Sequence, residues 1–331
     1  MKKLLLGALV AVLALTLVAP TALAKPDMHK PLPATDVELV RKVTLHGGLG
    51  GGGKPAAGAA TGFLGQTISG NKYAIVIGIS DYPGTANDLR YCDEDARDMV
   101  SALASLYGYD GTNIISLIDN ESTHSSTLNA SFVNIDNAVS DIKAKVAADL
   151  AAYPSKQDEV VFFFSGHGAS GRWPYDDAQD KLQGVDKNGI DEAIVCHNGN
   201  QNGHLEYIWD GQLRDWFADF ATSRIIFIFD SCLAGGMTDL AASGRVINMA
   251  CSETGYSYES SSWGGGHGQF TYYFVDQGML SGLAGKYDYN GDGILYQPQD
   301  VSVEEAFDYS KANCRWQTPT ISDSFINDLL L

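Results

Sequence analysis

The chain has 331 residues, 45% hydrophobic and 19% charged, with 40 acidic against 22 basic side chains and a formal net charge of −18. That length and apolar content suffice for one large domain or two small ones. So acidic a surface repels polyanions, which excludes nucleic acid and anionic lipid as partners and favours cations such as calcium or basic peptides.

Lys2 and Lys3 precede an apolar run from Leu4 to Val18, followed by ALA at 22–24. This is the make-up of a signal peptide, residues 1–24, cleaved after Ala24, and it predicts a secreted protein with no stable membrane association. Residues 25–70 are rich in Pro, Gly and Ala, including LHGGLGGGGKPAAGAATG. Such a stretch buries too little to offset its ordering entropy, so a flexible leader or pro-segment is expected, with ATDVELVRKVTL its one candidate for packing. The folded domain is expected over 71–331.

Within that domain strand and helix patterns alternate. YAIVIGI (73–79) is a buried strand, and DEDARDMVSALASLYG (93–108) opens on acids and closes on glycine as helices do. NIISLID (113–119) is a strand, and 131–150 a long amphipathic helix with Phe132, Ile135, Val139, Ile142 and Val146 on one face. A strand at 159–164, a loop region, a helix at 210–220 and strands at 224–230 and 245–250 follow, then helices from about His267 and over 301–311. Near-continuously apolar strands alternating with helices predict an α/β fold with a mostly parallel sheet covered on both faces. Ligands of such sheets bind beyond the carboxyl ends of the strands.

Two strands end alike there. VVFFFSGHG (160–168) stops at His167, and IIFIFDSCLAG (225–235) stops at Cys232. On adjacent strands they share one crevice, where a histidine can activate a cysteine nucleophile. Gly168 allows close backbone approach, so its N–H and that of Cys232 are the candidate oxyanion donors. Cysteines stand at 92, 196, 232, 251 and 314; an odd count leaves at least one unpaired or bonded to another chain, and the lack of a CxxC pair speaks against a zinc knuckle. No GxSxG elbow marks a serine hydrolase. In YDYNGDGIL (287–295), Asp288, Asn290, Asp292 and Gly293 take positions 1, 3, 5 and 6 of a calcium-binding loop. Position 12 is Gln299, and Glu304 or Glu305 arrives only around a longer loop.

The two strand ends together resemble the catalytic pair of caspase-like cysteine peptidases, and DSC resembles the metacaspase type. YAIVIGISDY, LRYCDEDA, INMACSETGYSYES, HGQFTYYF and QTPTISD are similar to further blocks of that family, so the resemblance spans about residues 72–326. It departs where metacaspases continue with His-Ser-Gly and this chain has Leu233, Ala234 and Gly235. The resemblance implies a caspase-like α/β/α sandwich, with Cys232 as nucleophile and His167 as general acid/base. It implies a specificity pocket lined by Asp95 and Asp230, cleavage after Arg or Lys, and protein or peptide substrates with basic residues. It also implies a Ca2+ site at Asp191, Asp210 and Asp239, although Gly211 stands where the family has a further aspartate.

No Lys or Arg lies between Arg245 and Lys286, so an enzyme of this specificity stays one chain there. The leader offers Arg41, Lys42, Lys54 and Lys72 for pro-segment removal. Two rival readings stand: a legumain- or clostripain-like peptidase of other specificity, and a catalytically silent secreted calcium-binding scaffold.

Overall fold

The structure, a computed structural model, describes residues 26–46, 58–120, 129–175, 190–199 and 203–331. The expected signal peptide and Lys54 lie outside the described residues. In chain order come β1 (Thr35–Val40), β2 (Val43–Thr44), β3 (Lys72–Ile79), α1 (Cys92–Ser105), β4 (Ile114–Asp119) and α2 (Phe132–Ala152). Next are β5 (Glu159–Ser165), β6 (Gly168–Arg172), β7 (Asp191–His197), β8 (Leu205–Trp209), α3 (Asp210–Ala218), β9 (Ile225–Asp230) and β10 (Arg245–Met249). Last come β11 (Tyr258–Ser260), β12 (His267–Gly268), α4 (Gln269–Thr271, running on as a π-helix over Tyr272–Leu280), α5 (Val303–Asn313) and β13 (Thr320–Asp323).

The central sheet has the order β13-β10-β9-β5-β3-β4. It is parallel throughout except for β13, which pairs antiparallel with β10. Each central strand is apolar on both faces because each face has its own helical cover. Ile75, Ile77, Phe162, Phe164, Phe227 and Phe229 pack towards α2 and α3. Ala74, Val76, Val161, Phe163, Ile226 and Ile228 pack towards α1, α4 and α5. The period-2 alternation thus divides one apolar run between two cores, the three-layer arrangement expected from the alternating pattern.

Local chemistry fixes the helix starts. Asp93, Glu94 and Asp95 occupy the first turn of α1, where the helix dipole favours carboxylates. Ser131 Oγ caps α2 by accepting the Asn134 N–H, and Ser302 with Glu305 forms a capping box on α5. No helix among the described residues is long and apolar enough to cross a membrane.

Three expectations change. The loop region after β5 contains β6, β7 and β8, which form an antiparallel sheet in the order β1-β6-β7-β8. The helix expected from His267 is preceded by the short strand β12, which pairs with β11. Within the leader, the packing candidate ATDVELVRKVTL forms two strands, Thr35–Val40 and Val43–Thr44, rather than one element. β1 adds to the edge of β6, and β2 pairs parallel with β11, because exposed strand edges supply the backbone partners that the leader's composition cannot.

At the far end of the sheet Arg224, just before β9, is buried with Glu159 of β5, Nε to Oε2 at 2.5 Å. Its Nη1 donates to Gln66 O (2.7 Å) and its Nη2 to Leu330 O (2.8 Å), so one guanidinium fastens two chain segments to the sheet. Replacing Arg224 with Met leaves Glu159 buried without its cation, and urea unfolding is expected to show a loss of about 3–5 kcal/mol. A loss below 1 kcal/mol on that scale contradicts the fastening role.

Candidate active site

In the ladder between β5 and β9, Ser165 stands opposite Asp230. His167 and Cys232 each follow two residues later, so both lie at the same end of neighbouring strands. The chains come so close that a Cβ on Gly168 would lie 2.0 Å from Cys232 O, which is why glycine follows the histidine. Past the cysteine, Leu233 turns the chain through a left-handed conformation (φ 60°) and its N–H donates to Gly255 O (2.9 Å). Leu233 thus fills the turn where the family has histidine.

His167 is buried and held on three sides. Its Nε2–H donates to Asn87 O (2.7 Å), which leaves Nδ1 as the acceptor facing the cleft. Its backbone N–H donates to the Tyr82 hydroxyl (3.0 Å), which in turn donates to Val195 O (3.1 Å). The Tyr82 ring lies against the imidazole with centroids 4.7 Å apart. Burial pushes the imidazole down to about 4, opposed by the Asn87 carbonyl and aided by the nearby Arg41 and Lys42 charges. Burial pushes the Cys232 thiol up to about 11, against the Ser257 N–H and the Lys42 charge, which favour the thiolate. Imidazole and thiol are therefore both neutral at pH 7.

The leader passes directly between them. Lys42 N–H donates to His167 Nδ1 (3.0 Å), and the Cys232 thiol meets Arg41 O at 3.3 Å. One amide, Arg41–Lys42, spans the pair. Gly168, a candidate oxyanion donor, opens β6 opposite Val40 of β1.

Beside this amide the Lys42 side chain enters a pocket with none of its surface exposed. Its ammonium lies 2.9 Å from Asp230 Oδ1 and 3.5 Å from Asp95 Oδ2, and donates to Ser165 Oγ (3.0 Å) and Asp230 O (3.1 Å). Asp230 also accepts from the hydroxyls of Ser257 (2.5 Å) and Thr271 (2.7 Å). Asp95 accepts from Ser165 Oγ (2.7 Å) and the Gly268 N–H (3.0 Å). A Cβ on Gly268 would lie 2.7 Å from the Lys42 nitrogen, so the pocket wall needs a glycine. Burial opposes both charges, but attraction to Asp230 and Asp95 raises the ammonium well above its ordinary 10.5. Burial likewise opposes the Asp230 carboxylate, yet Lys42 and the Ser257 and Thr271 hydroxyls hold it below its ordinary range.

Asp95 and Asp230, named from sequence, thus share one pocket. Ser165, Ser257, Thr271, Gly268, Tyr82 and Asn87 were not named. Ser165 sits on the strand end already marked, but hydroxyls and carbonyls carry no spacing signal of their own.

The residues expected to bind calcium near the cysteine have the following contacts. Asp191 Oδ2 accepts the Trp173 N–H (2.8 Å), Asp210 Oδ1 accepts the Gly211 N–H (2.7 Å), and Asp239 pairs with Arg214 (2.9 Å). In the second motif, Asp288 accepts the N–H groups of Gly291, Asp292 and Gly293, while Asp292 accepts that of Ile294. Glu305 caps α5 and binds the N–H groups of Lys286 and Tyr287, and Glu304 accepts the Leu329 N–H. No group of three acidic, histidine or cysteine side chains among the described residues is placed to hold a metal.

The filled cleft has a pH signature. Between 6.5 and about 4 a solvated histidine takes up a proton that buried His167 does not. The closed state then binds fewer protons than an opened one, so it loses stability as pH falls through that window, by about 1.4 kcal/mol per pH unit. NMR titration of the intact chain should show His167 neutral until about pH 4; a midpoint at the ordinary value contradicts this.

Comparison with known proteins gives the same frame. The caspase-domain family model (Peptidase C14) matches residues 71–289. Metacaspase-4 of Arabidopsis thaliana is 34% identical over 194 residues, 58% of this chain and 40% of that protein. Metacaspase-6 of the same plant is 35% identical over 173 residues, 51% of this chain and 40% of that protein. Metacaspase III c of Phaeodactylum tricornutum is 28% identical over 192 residues, 56% of this chain and 50% of that protein. The chain therefore spans half or less of the length of these relatives. A solved structure described as pro-sf-caspase-1 aligns with a TM-score of 0.41 at 13% identity, covering 80% of this chain and 91% of that one. By the family match over most of its length, this chain belongs to the caspase-domain peptidases, with metacaspases among its relatives.

Proposed function

We propose that the protein is an endopeptidase cutting after Lys or Arg, with Cys232 as nucleophile and His167 as general acid and base. The observation that carries this is Lys42, whose ammonium fills the pocket between Asp95 and Asp230 beside the histidine and the cysteine. A substrate lysine or arginine in that pocket sets its carbonyl carbon against Sγ. The thiol proton passes to His167 Nδ1 as the C–S bond forms, and from there to the leaving amine as the C–N bond breaks. Water, deprotonated by the same imidazole, then cleaves the thioester and the thiol is restored. Asn87 and Tyr82 position the imidazole. The N–H groups of Gly168 and Cys232 are the donors proposed for the oxyanion once the leader has left.

Paired fluorogenic peptides ending in Arg, Lys, Asp or Asn test this directly. Turnover is expected for Arg and Lys alone, and Cys232→Ala should lower it by about a thousandfold or more. Asp230→Asn should cost more than Asp95→Asn, because Asp230 makes the closer contact. Turnover after Asn or Asp keeps the dyad and refutes the pocket assignment.

Calcium is part of the proposal at the 288–293 turn, where binding would require Asp288, Asp292 and Asp300 to draw closer together than they stand here. There the buried Asp300 lies within electrostatic reach of Asp288 and Asp292, and its Oδ2 has no hydrogen-bond partner among the described residues. It stands one residue beyond the position where an EF-hand carries its closing acid. Millimolar calcium is expected to raise the melting temperature of the intact chain by a few degrees, and the gain should vanish in Asp300→Asn. A gain that persists in the variant assigns calcium to another site, and no gain at all removes calcium from the proposal.

A further inference from the structure

We infer that residues 41–45 are bound as an inhibitor whose chain direction is opposite to that of a substrate, so that the cleft cannot cut the strap it holds. The inference rests on the peptidase reading of the cleft. In a substrate the residue in the pocket supplies the carbonyl that the sulfur attacks, and the amide nitrogen beyond that carbonyl faces the imidazole. The chain order is then pocket residue, carbonyl, leaving nitrogen.

Here the order is inverted. Lys42 fills the pocket, yet the nitrogen touching His167 Nδ1 is its own, at 3.0 Å, and the carbonyl at Cys232 Sγ is that of the preceding Arg41, at 3.3 Å. The amide following Lys42 is committed elsewhere, its Val43 N–H donating to Ser257 O (2.9 Å) and the Leu45 N–H to Glu259 O (2.8 Å) as β2 runs parallel to β11. Arg41, on the acyl side of the amide at the cysteine, is outside the pocket, with its Nη2 donating to Asn87 Oδ1 (2.8 Å). The amide after Lys42 has the right side chain in the pocket but does not face the cysteine. The amide before Lys42 faces the cysteine but has the wrong residue in the pocket. Neither meets both requirements, and β1 clamps the strap from the other side through its antiparallel ladder to β6.

Two consequences follow. Removal of the leader requires the strap to leave the cleft first, and a cut after Lys42 is made by a second, opened molecule. The cleft also takes as ligand a lysine-bearing extended peptide in this reversed direction, without consuming it.

The test uses the full-length chain and two independent readouts, alkylation of Cys232 by iodoacetamide and hydrolysis of an Arg- or Lys-terminated fluorogenic peptide. Lys42→Ala removes the cation. Val43→Pro removes the N–H that binds Ser257 O and leaves the two carboxylates paired, so it serves if the first variant folds poorly. Both should speed alkylation and turnover by at least about tenfold, while Lys42→Arg stays near the parent. Any cut after Lys42, followed by mass spectrometry, should have a rate per molecule that rises with protein concentration. A concentration-independent cut there, or unchanged alkylation in both folded variants, overturns the inference. Faster alkylation without turnover upholds the strap and sinks the peptidase reading. Equal turnover in every form upholds the peptidase and sinks the strap.

Discussion

A buried ammonium between two buried carboxylates organises this protein. Lys42 lies with Asp230 and Asp95, and none of the three side chains is exposed. Taking such charges out of water is unfavourable unless the remaining lone pairs and protons are matched. The match comes from several elements: Ser165 from the end of β5, Ser257 from just before β11, Gly268 from β12 and Thr271 from α4. The carboxyl ends of two parallel strands and the acidic first turn of α1 thus meet at one cation. Elements far apart in sequence are brought into register because their polar groups have no other solvent there.

The same burial sets the chemistry next door. With the cleft filled, His167 is driven towards its neutral form and Cys232 towards its thiol. Proton transfer between them is then unfavourable whatever their geometry. Admitting water relieves the desolvation that is the largest cause of both shifts. One event, departure of the strap, therefore frees the pocket, opens the amide position and weakens the bias against proton transfer between the pair.

The parallel sheet was legible because burial on two faces leaves a continuous apolar run that few other structures need. VVFFFS and IIFIFD show this, and reading their ends located His167 and Cys232. Asp95 and Asp230 came through the family resemblance, and the structure places them together. What stayed hidden has a common physical character. β6, with the sequence GASGR, is held by its neighbours' backbone and offers no apolar alternation. β1 and β2 lie in a leader whose composition speaks against order, and their stability comes from ladders and an ion pair between residues 42 and 230. A local window sees neither end of such a contact. Asp191, Asp210 and Asp239 carry contacts that spacing alone does not foretell, with Arg214 and with backbone N–H groups.

None of the five cysteines forms a disulfide. The strap is accordingly held by backbone pairing and charge alone, with no covalent tie to the domain apart from the chain that leads out of it. While that chain is intact, tethering gives the inhibitor a high effective concentration at the cleft, and each departure is followed by return. One cut between strap and domain turns this intramolecular equilibrium into a bimolecular one, governed by bulk dilution. Once the freed strap is diluted, the same contacts that close the cleft securely before the cut are too few to close it again, and activation becomes a one-way step without any change in the domain itself.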